Sequence, residues 1–182
     1  MMIYIKQLVG LFISVIVALG TMSYGQPAFA QTSSSVAAPQ RLKIPAIGVD
    51  AIIEPVGKTP DGNMDVPRDA KNVAWYNLGP TPGALGNSVI SGHLDDAKGP
   101  TVFYKLGKLK AGDQVIVLDG NATQHTFKVL SVEKYPYDKA PLTRIFGLNF
   151  EHDLNLITCG GTWNPKAHNY SQRVVVYTRL VN

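Results

Sequence analysis

The sequence predicts an all-β fold, a barrel closed by seven or eight strands. No apolar pattern of helical period and useful length occurs after residue 40. Short apolar or alternating runs recur instead, divided by Gly, Pro, Asn and Asp turn signals, the layout of a sandwich or closed barrel. Closure is preferred because it leaves no exposed edge strands.

Taken in order, Arg41-Leu42-Lys43-Ile44 alternates with a period of two, and Pro45 ends it as an edge strand. Gly48 to Val56 reads as a second strand, Thr59-Pro60-Asp61-Gly62 as a turn, and Met64 to Pro67 as a further extended piece. Val73 to Tyr76 precedes a loop of turn residues from Leu78 to Gly86. Asn87 to His93 rises as a buried strand ending in Gly92-His93. Val102 to Leu106 is apolar at helical spacing and predicts a short helix or 3₁₀ turn belonging to the core. Gln114 to Asp119 and Thr126 to Glu133 flank Gly120-Asn121, a hairpin signal. Arg144 to Gly147 reads as a helical turn. Leu154 to Thr158 is a strand that delivers Thr158-Cys159 to a rim, with Gly160-Gly161 as the turn that follows. Arg173 opens the last strand, which runs to Val181.

Hydrophobic residues make up 45% of the chain and charged residues 16%, which suits a packed core and not a disordered chain. The net charge of +4 comes without any Lys/Arg run interleaved with aromatics, so nucleic acid is set aside as a partner. Lys6 precedes an apolar run from Leu8 to Leu19, and no charge recurs until Arg41. That is the layout of a signal peptide or an N-terminal membrane anchor. Ala28-Phe29-Ala30 fits a cleavage site, while the stretch from Ile3 to Tyr24 can also cross as a tilted helix. Both readings put the domain outside the cytoplasmic membrane. The expected organisation is an anchor or signal over 1–30, a small polar linker over 31–40 and a folded domain over 41–182.

Export changes the meaning of Cys159, the sole cysteine. It has no partner for an internal disulfide, so the thiol is either buried and inert or kept for chemistry. Four histidines can serve it, and their spacing contains no zinc pattern. His125 lies inside the hairpin and reads as a solvated strand residue. His152 sits at the far end of the cysteine strand, and His168 in the loop after it. His93 ends a strand, as Cys159 does, and the two can meet at one rim of the barrel. A free thiol titrates at about 8.5, and a neighbouring imidazolium favours its thiolate. Acyl transfer also needs a donor for the developing oxyanion and an acid for the leaving amine. Arg173 has the fixed charge and donors for the first task, although a strand-opening arginine is also a common salt-bridge residue. Arg179 shares its face and stands as the substitute.

Gly92-His93, Leu156-Ile157-Thr158-Cys159 and Tyr170-Ser171-Gln172-Arg173-Val174-Val175-Val176 together resemble the three signatures of the sortase family, in the family's order. The similarity extends over the chain from about Arg41 and includes Leu42-Lys43-Ile44-Pro45 and Gly112-Asp113. It looks closest to the class F/E-like group, with an acidic segment after Gly-His, Phe103-Tyr104-Lys105-Leu106, and Thr158-Cys159-Gly160-Gly161. One departure is Asn155, where the family commonly has Thr.

The resemblance implies a closed eight-stranded barrel and a membrane-associated cysteine transpeptidase without a metal or other cofactor. Such an enzyme cleaves an LPxTG-like sorting signal through a thioacyl-enzyme and passes the protein to a cell-wall amine. Cys159 would be the nucleophile, His93 the acid and base, and Arg173 the substrate or oxyanion clamp. Thr158, Gly160, Trp163 and His168 are the expected substrate-binding residues. Asp95 and Asp96 either tune His93 or are exposed turn acids. Two alternatives have other chemistry. An L,D-transpeptidase would show a His before Gly and Cys, which Thr158-Cys159-Gly160 lacks. A surface binding domain would keep Cys159 as a buried, unreactive thiol.

Overall fold

The computed structural model describes residues 36–181; the expectations for 1–30, and for most of the linker, lie outside the described residues. Eight strands close a barrel in the order β1 (Pro39–Ile44), β2 (Val49–Val56), β3 (Val73–Tyr76), β4 (Gly86–Gly92), β9 (His152–Asn164), β10 (Asn169–Leu180), β8 (Gln124–Pro136) and β7 (Gln114–Asp119). A two-stranded ribbon, β5 (Asp95–Asp96) with β6 (Gly99–Pro100), follows β4. A short helix, α1 (Leu142–Phe146), lies in the connection from β8 to β9. The closed all-β expectation holds.

Two of the barrel's pairings are parallel, β2 with β3 and β4 with β9. Parallel neighbours cannot be joined by a tight turn. The chain therefore crosses over through residues 57–72, which bring Val66 and Pro67 to the rim where β4 ends. The β4–β9 pairing sets Ser91 beside Ile157, so the Gly92-His93 and Thr158-Cys159 segments leave the pair at one level.

Burial explains the apolar runs. Leu42, Ile44, Val115, Val117, Phe127, Leu154, Leu156 and Val176 point inward and form the inner core with Phe103 and Leu106. A second, outer core lies under α1 and holds Val89, Ile145, Val175 and Tyr177. Successive residues such as Val175 and Val176 are buried on opposite sides of the same wall. This two-sided burial is why Val174 to Tyr177 reads as a continuous apolar run and not as alternation.

Several boundaries differ from the sequence expectation. β9 does not end at Cys159, and Gly160-Gly161 is not a turn; β9 runs on to Asn164. Gly161, at φ 77°, makes a bulge in which Gly161 and Thr162 oppose Ser171 between the pairs Gly160–Gln172 and Trp163–Tyr170. A Cβ on Gly161 would overlap Ser171 Oγ, and one on Gly160 would come within 2.8 Å of Val174 Cγ2. The glycines thus let two strands close on each other. Arg173 does not open β10, which starts at Asn169 and carries Arg173 in its interior. His125 is not a solvated strand residue: its Nε2 is 3.1 Å from Asp119 Oδ2, and its side chain is 13% exposed.

Candidate active site

The site grows from the period-two geometry of β9. Thr158 points into the barrel and is 3% exposed; its hydroxyl donates to Gly92 O at 2.8 Å, fastening the end of β4 to β9. Cys159 therefore points outward. Across the antiparallel pair, Arg173 stands directly opposite Cys159, on the same face.

His93 follows from the same fastening. Gly92 has no room for a side chain, because a Cβ there would lie 2.6 Å from the Phe103 ring. The His93 carbonyl accepts from Phe103 N at 3.0 Å and from Thr101 Oγ1 at 2.7 Å, so its backbone is held on two sides. Its ring Nε2 lies 3.4 Å from Pro67 O, a partner that only accepts. His93, Cys159 and Arg173, with Thr158 beneath, line one groove of about 590 Å³. Ile157 and Val175, paired across β9 and β10 on the face of Cys159 and Arg173, form the groove's floor, and Pro67 and the α1 residues Leu142, Ile145 and Phe146 also line it.

Electrostatics act on the thiol in opposite directions. Burial pushes its pKa up, the Arg173 guanidinium pulls it down, and the Asp95 carboxylate adds to the upward push. The net shift is upward, so at neutral pH the resting form is the thiol. Arg173 is itself tethered. Nη1 donates to Gln172 O at 2.9 Å and Tyr170 O at 3.3 Å, and Nη2 to Asn169 Oδ1 at 2.9 Å. A guanidinium has five N–H groups, so these bonds leave two of them untethered.

Towards the connection between β9 and β10, Tyr170 donates to Asp95 Oδ2 at 2.5 Å, which pushes the phenol up to about 12. Asp95 is thus engaged with Tyr170, while Asp96 turns back to accept from Lys98 N. Trp163 packs against Tyr170 at 5.1 Å and His168 at 6.4 Å between ring centroids. Neither Trp163 nor His168 lines the groove, and Gly160 packs on Val174 away from it. Arg179, the substitute for Arg173, lies at the other end of β10, bonded to Asp153 at 2.8 Å.

Four of the seven expected residues therefore meet: His93, Thr158, Cys159 and Arg173. Sequence reasoning missed the apolar wall from α1, although Leu142, Ile145 and Phe146 carry a helical i, i+3, i+4 signal. It also missed Pro67 and Tyr170, for which no local pattern exists.

A family model described as "Sortase domain" matches residues 42–181. No curated protein matches the chain. Among solved structures, sortase C2 of pilus island 1 from group B Streptococcus is 22% identical, with a TM-score of 0.61, over 79% of this chain and 73% of that one. Sortase C-1 from Actinomyces oris is 21% identical, with a TM-score of 0.63, over 79% of this chain and 71% of that one. A sortase D5 transpeptidase from Clostridium perfringens is 20% identical, with a TM-score of 0.58, over 80% and 79%. At such identities these structures establish a common fold.

Proposed function

The chain belongs to the sortase family and is a cysteine transpeptidase, and on that premise we propose that it cleaves an LPxTG-like sorting signal and transfers the acyl half to a cell-wall amine. The family membership sets aside the L,D-transpeptidase and binding-domain alternatives. In this reading the peptide lies in the groove with its apolar residues against Leu142, Ile145, Phe146 and Val175. Cys159 Sγ attacks the carbonyl of the signal's threonine as its proton passes to the His93 imidazole. The oxyanion forms beside the two untethered N–H groups of Arg173. His93 then protonates the departing amine, leaving a thioacyl-enzyme. The incoming amine loses its proton to His93 as it displaces the thiolate. Because the acyl half fills the groove, the acceptor arrives from the side of the β9–β10 connection, past Trp163, His168 and Tyr170. Thr158 positions the thiol from beneath. The class F/E-like assignment rests on the motifs around His93 and Cys159. Attachment at the outer face of the membrane, or release after cleavage at Ala30, rests on the sequence of residues 1–30.

The observation that carries this reading is the direct opposition of Arg173 and Cys159 beside the tethered Gly92-His93 segment, all opening into one apolar groove. The test is incubation with an LPxTG peptide and a small amine. A transpeptidation product is expected, absent in Cys159→Ala, and lowered at least about a hundredfold in His93→Ala and in Arg173→Ala. Product formed normally by Cys159→Ala sinks the proposal.

A further inference from the structure

The outward face of β9 and β10 carries three cross-strand pairs in succession: Cys159 with Arg173, Ile157 with Val175, and Asn155 with Tyr177. The first pair holds the reacting thiol and the second makes the groove floor. The third pair touches neither the thiol nor the groove, and both of its members bind α1.

Asn155 is 1% exposed. Its Nδ2 donates to Ile145 O at 2.9 Å and to Asn87 Oδ1 at 3.2 Å. Asn87, also buried, donates its own Nδ2 to Gly147 O at 2.9 Å. The last carbonyls of a helix have no partner within it, and here two amides from the barrel wall supply one each to Ile145 and Gly147. The other member, Tyr177, lies under Arg144 of α1, whose Cζ is 3.7 Å from the ring centroid. Arg144 Nη1 also donates to Glu133 Oε2 at 2.9 Å and to Tyr135 Oη at 3.2 Å.

A helix of five residues does not hold itself together in water, and α1 has no side-chain N-cap. Leu142, at its start, is 65% exposed and packs little. Its place is therefore set by the buried Ile145, by Phe146 against Tyr76 and by the polar contacts just described. Apolar contacts alone let a short helix slide or roll; hydrogen bonds to named carbonyls fix its register. We infer that Asn155 and Arg144 are positioning residues: one from the barrel and one from the helix, they fix α1 as the wall against which the donor peptide is bound. What the wall recognises rests on the sorting-signal reading; the docking itself does not.

The test uses the full chain and the variants Asn155→Leu, of similar shape and without donors, and Arg144→Met. With an LPxTG peptide and a small amine, the KM for the peptide is expected to rise about tenfold in Asn155→Leu and about threefold in Arg144→Met, with kcat within about twofold. Alkylation of Cys159 by iodoacetamide, which needs only the thiol, keeps its rate. Hydrogen exchange at the Ile145 and Gly147 amides, bonded to Pro141 O and Thr143 O, speeds about tenfold, while the β9 and β10 amides stay protected. Unchanged exchange at those two amides overturns the inference, whichever peptide is the substrate. So does accelerated exchange with an unchanged KM. A wild type that turns over no peptide, with the exchange result as expected, removes the sorting-signal reading and still supports the docking. Should Asn155→Leu fail to fold, Arg144→Met, a change at a half-exposed side chain, decides the matter alone.

Discussion

The inner core and the outer core share walls but are held differently. Inside the barrel, Phe127, Leu156, Val117 and their neighbours form one apolar cluster, so shape and volume dominate the packing. Outside, Ile145 and Val175 are surrounded by Asn155, Asn87, Arg144, Glu133 and Tyr177, whose contacts have direction. The same strands serve both because alternate residues point to opposite sides: Leu156 and Thr158 inward, Asn155, Ile157 and Cys159 outward. The contrast is between a region that keeps the barrel closed and a region that, on the proposed reading, aims a short helix at a peptide. On that reading stability resides mainly in the first and recognition in the second.

The largest effect expected from breaking this contrast is on the inner side. Phe127 is fully buried, and Phe127→Ala should cost about 3–5 kcal/mol of global stability, read from the midpoint of guanidinium unfolding. Gly92→Ala lies where the inner core meets the site. The added methyl group would press on Phe103 and move His93, so turnover should fall about a hundredfold while the unfolding midpoint shifts much less. Ile145→Ala empties the outer core, and α1 can then open without the barrel. Its global cost is expected at about 1–2 kcal/mol, with a raised peptide KM; a loss equal to that of Phe127→Ala would erase the distinction between the cores.

Charge effects are smaller and sharpen the comparison. Burial and Asp95 push the Cys159 thiol up while Arg173 pulls it down. The rate of iodoacetamide alkylation should therefore inflect above the ordinary cysteine range, and higher still in Arg173→Ala. An inflection that moves down in that variant would contradict the assigned balance. In the outer core, hydrogen bonds from Arg144 and then Tyr135 hold Glu133 at about 2, below its ordinary 4.5. A carboxylate with a lowered pKa stabilises in full above its ordinary value and loses that contribution as pH falls through the lowered one. The difference in thermal midpoint between the wild type and Glu133→Gln should stay level from neutral pH to about 5 and vanish towards pH 2.

Much of this was legible in the sequence wherever one residue's neighbours in the chain decide its place. Gln114 to Asp119 and Val73 to Tyr76 form the strands their patterns predict. Gly92-His93 and Thr158-Cys159 meet because each lies at the same level of a parallel pair, and their strand contexts hinted at that. The Gly160-Gly161 pair misled because glycine has two uses. A turn and a bulge both need its freedom, and only the partner strand, with Ser171 and Val174 pressed close, selects the bulge. Arg173 looked like a strand opener because Tyr170 to Gln172 lack an apolar run; pairing with the extended β9 adds them to the strand. Asn155 is the plainest limit. Its carbonyl partner belongs to Ile145 and its amide partner to Asn87, and no periodicity within β9 could point to either.

The central claim is that Cys159 carries the acyl group. Wild-type enzyme mixed with an LPxTG peptide in the absence of any amine, quenched in acid and weighed intact, should gain the mass of the peptide up to its threonine, and digestion should place the adduct on the peptide that contains Cys159. Cys159→Ala should show no gain. An adduct that persists in Cys159→Ala, or product formed without one, would contradict the account.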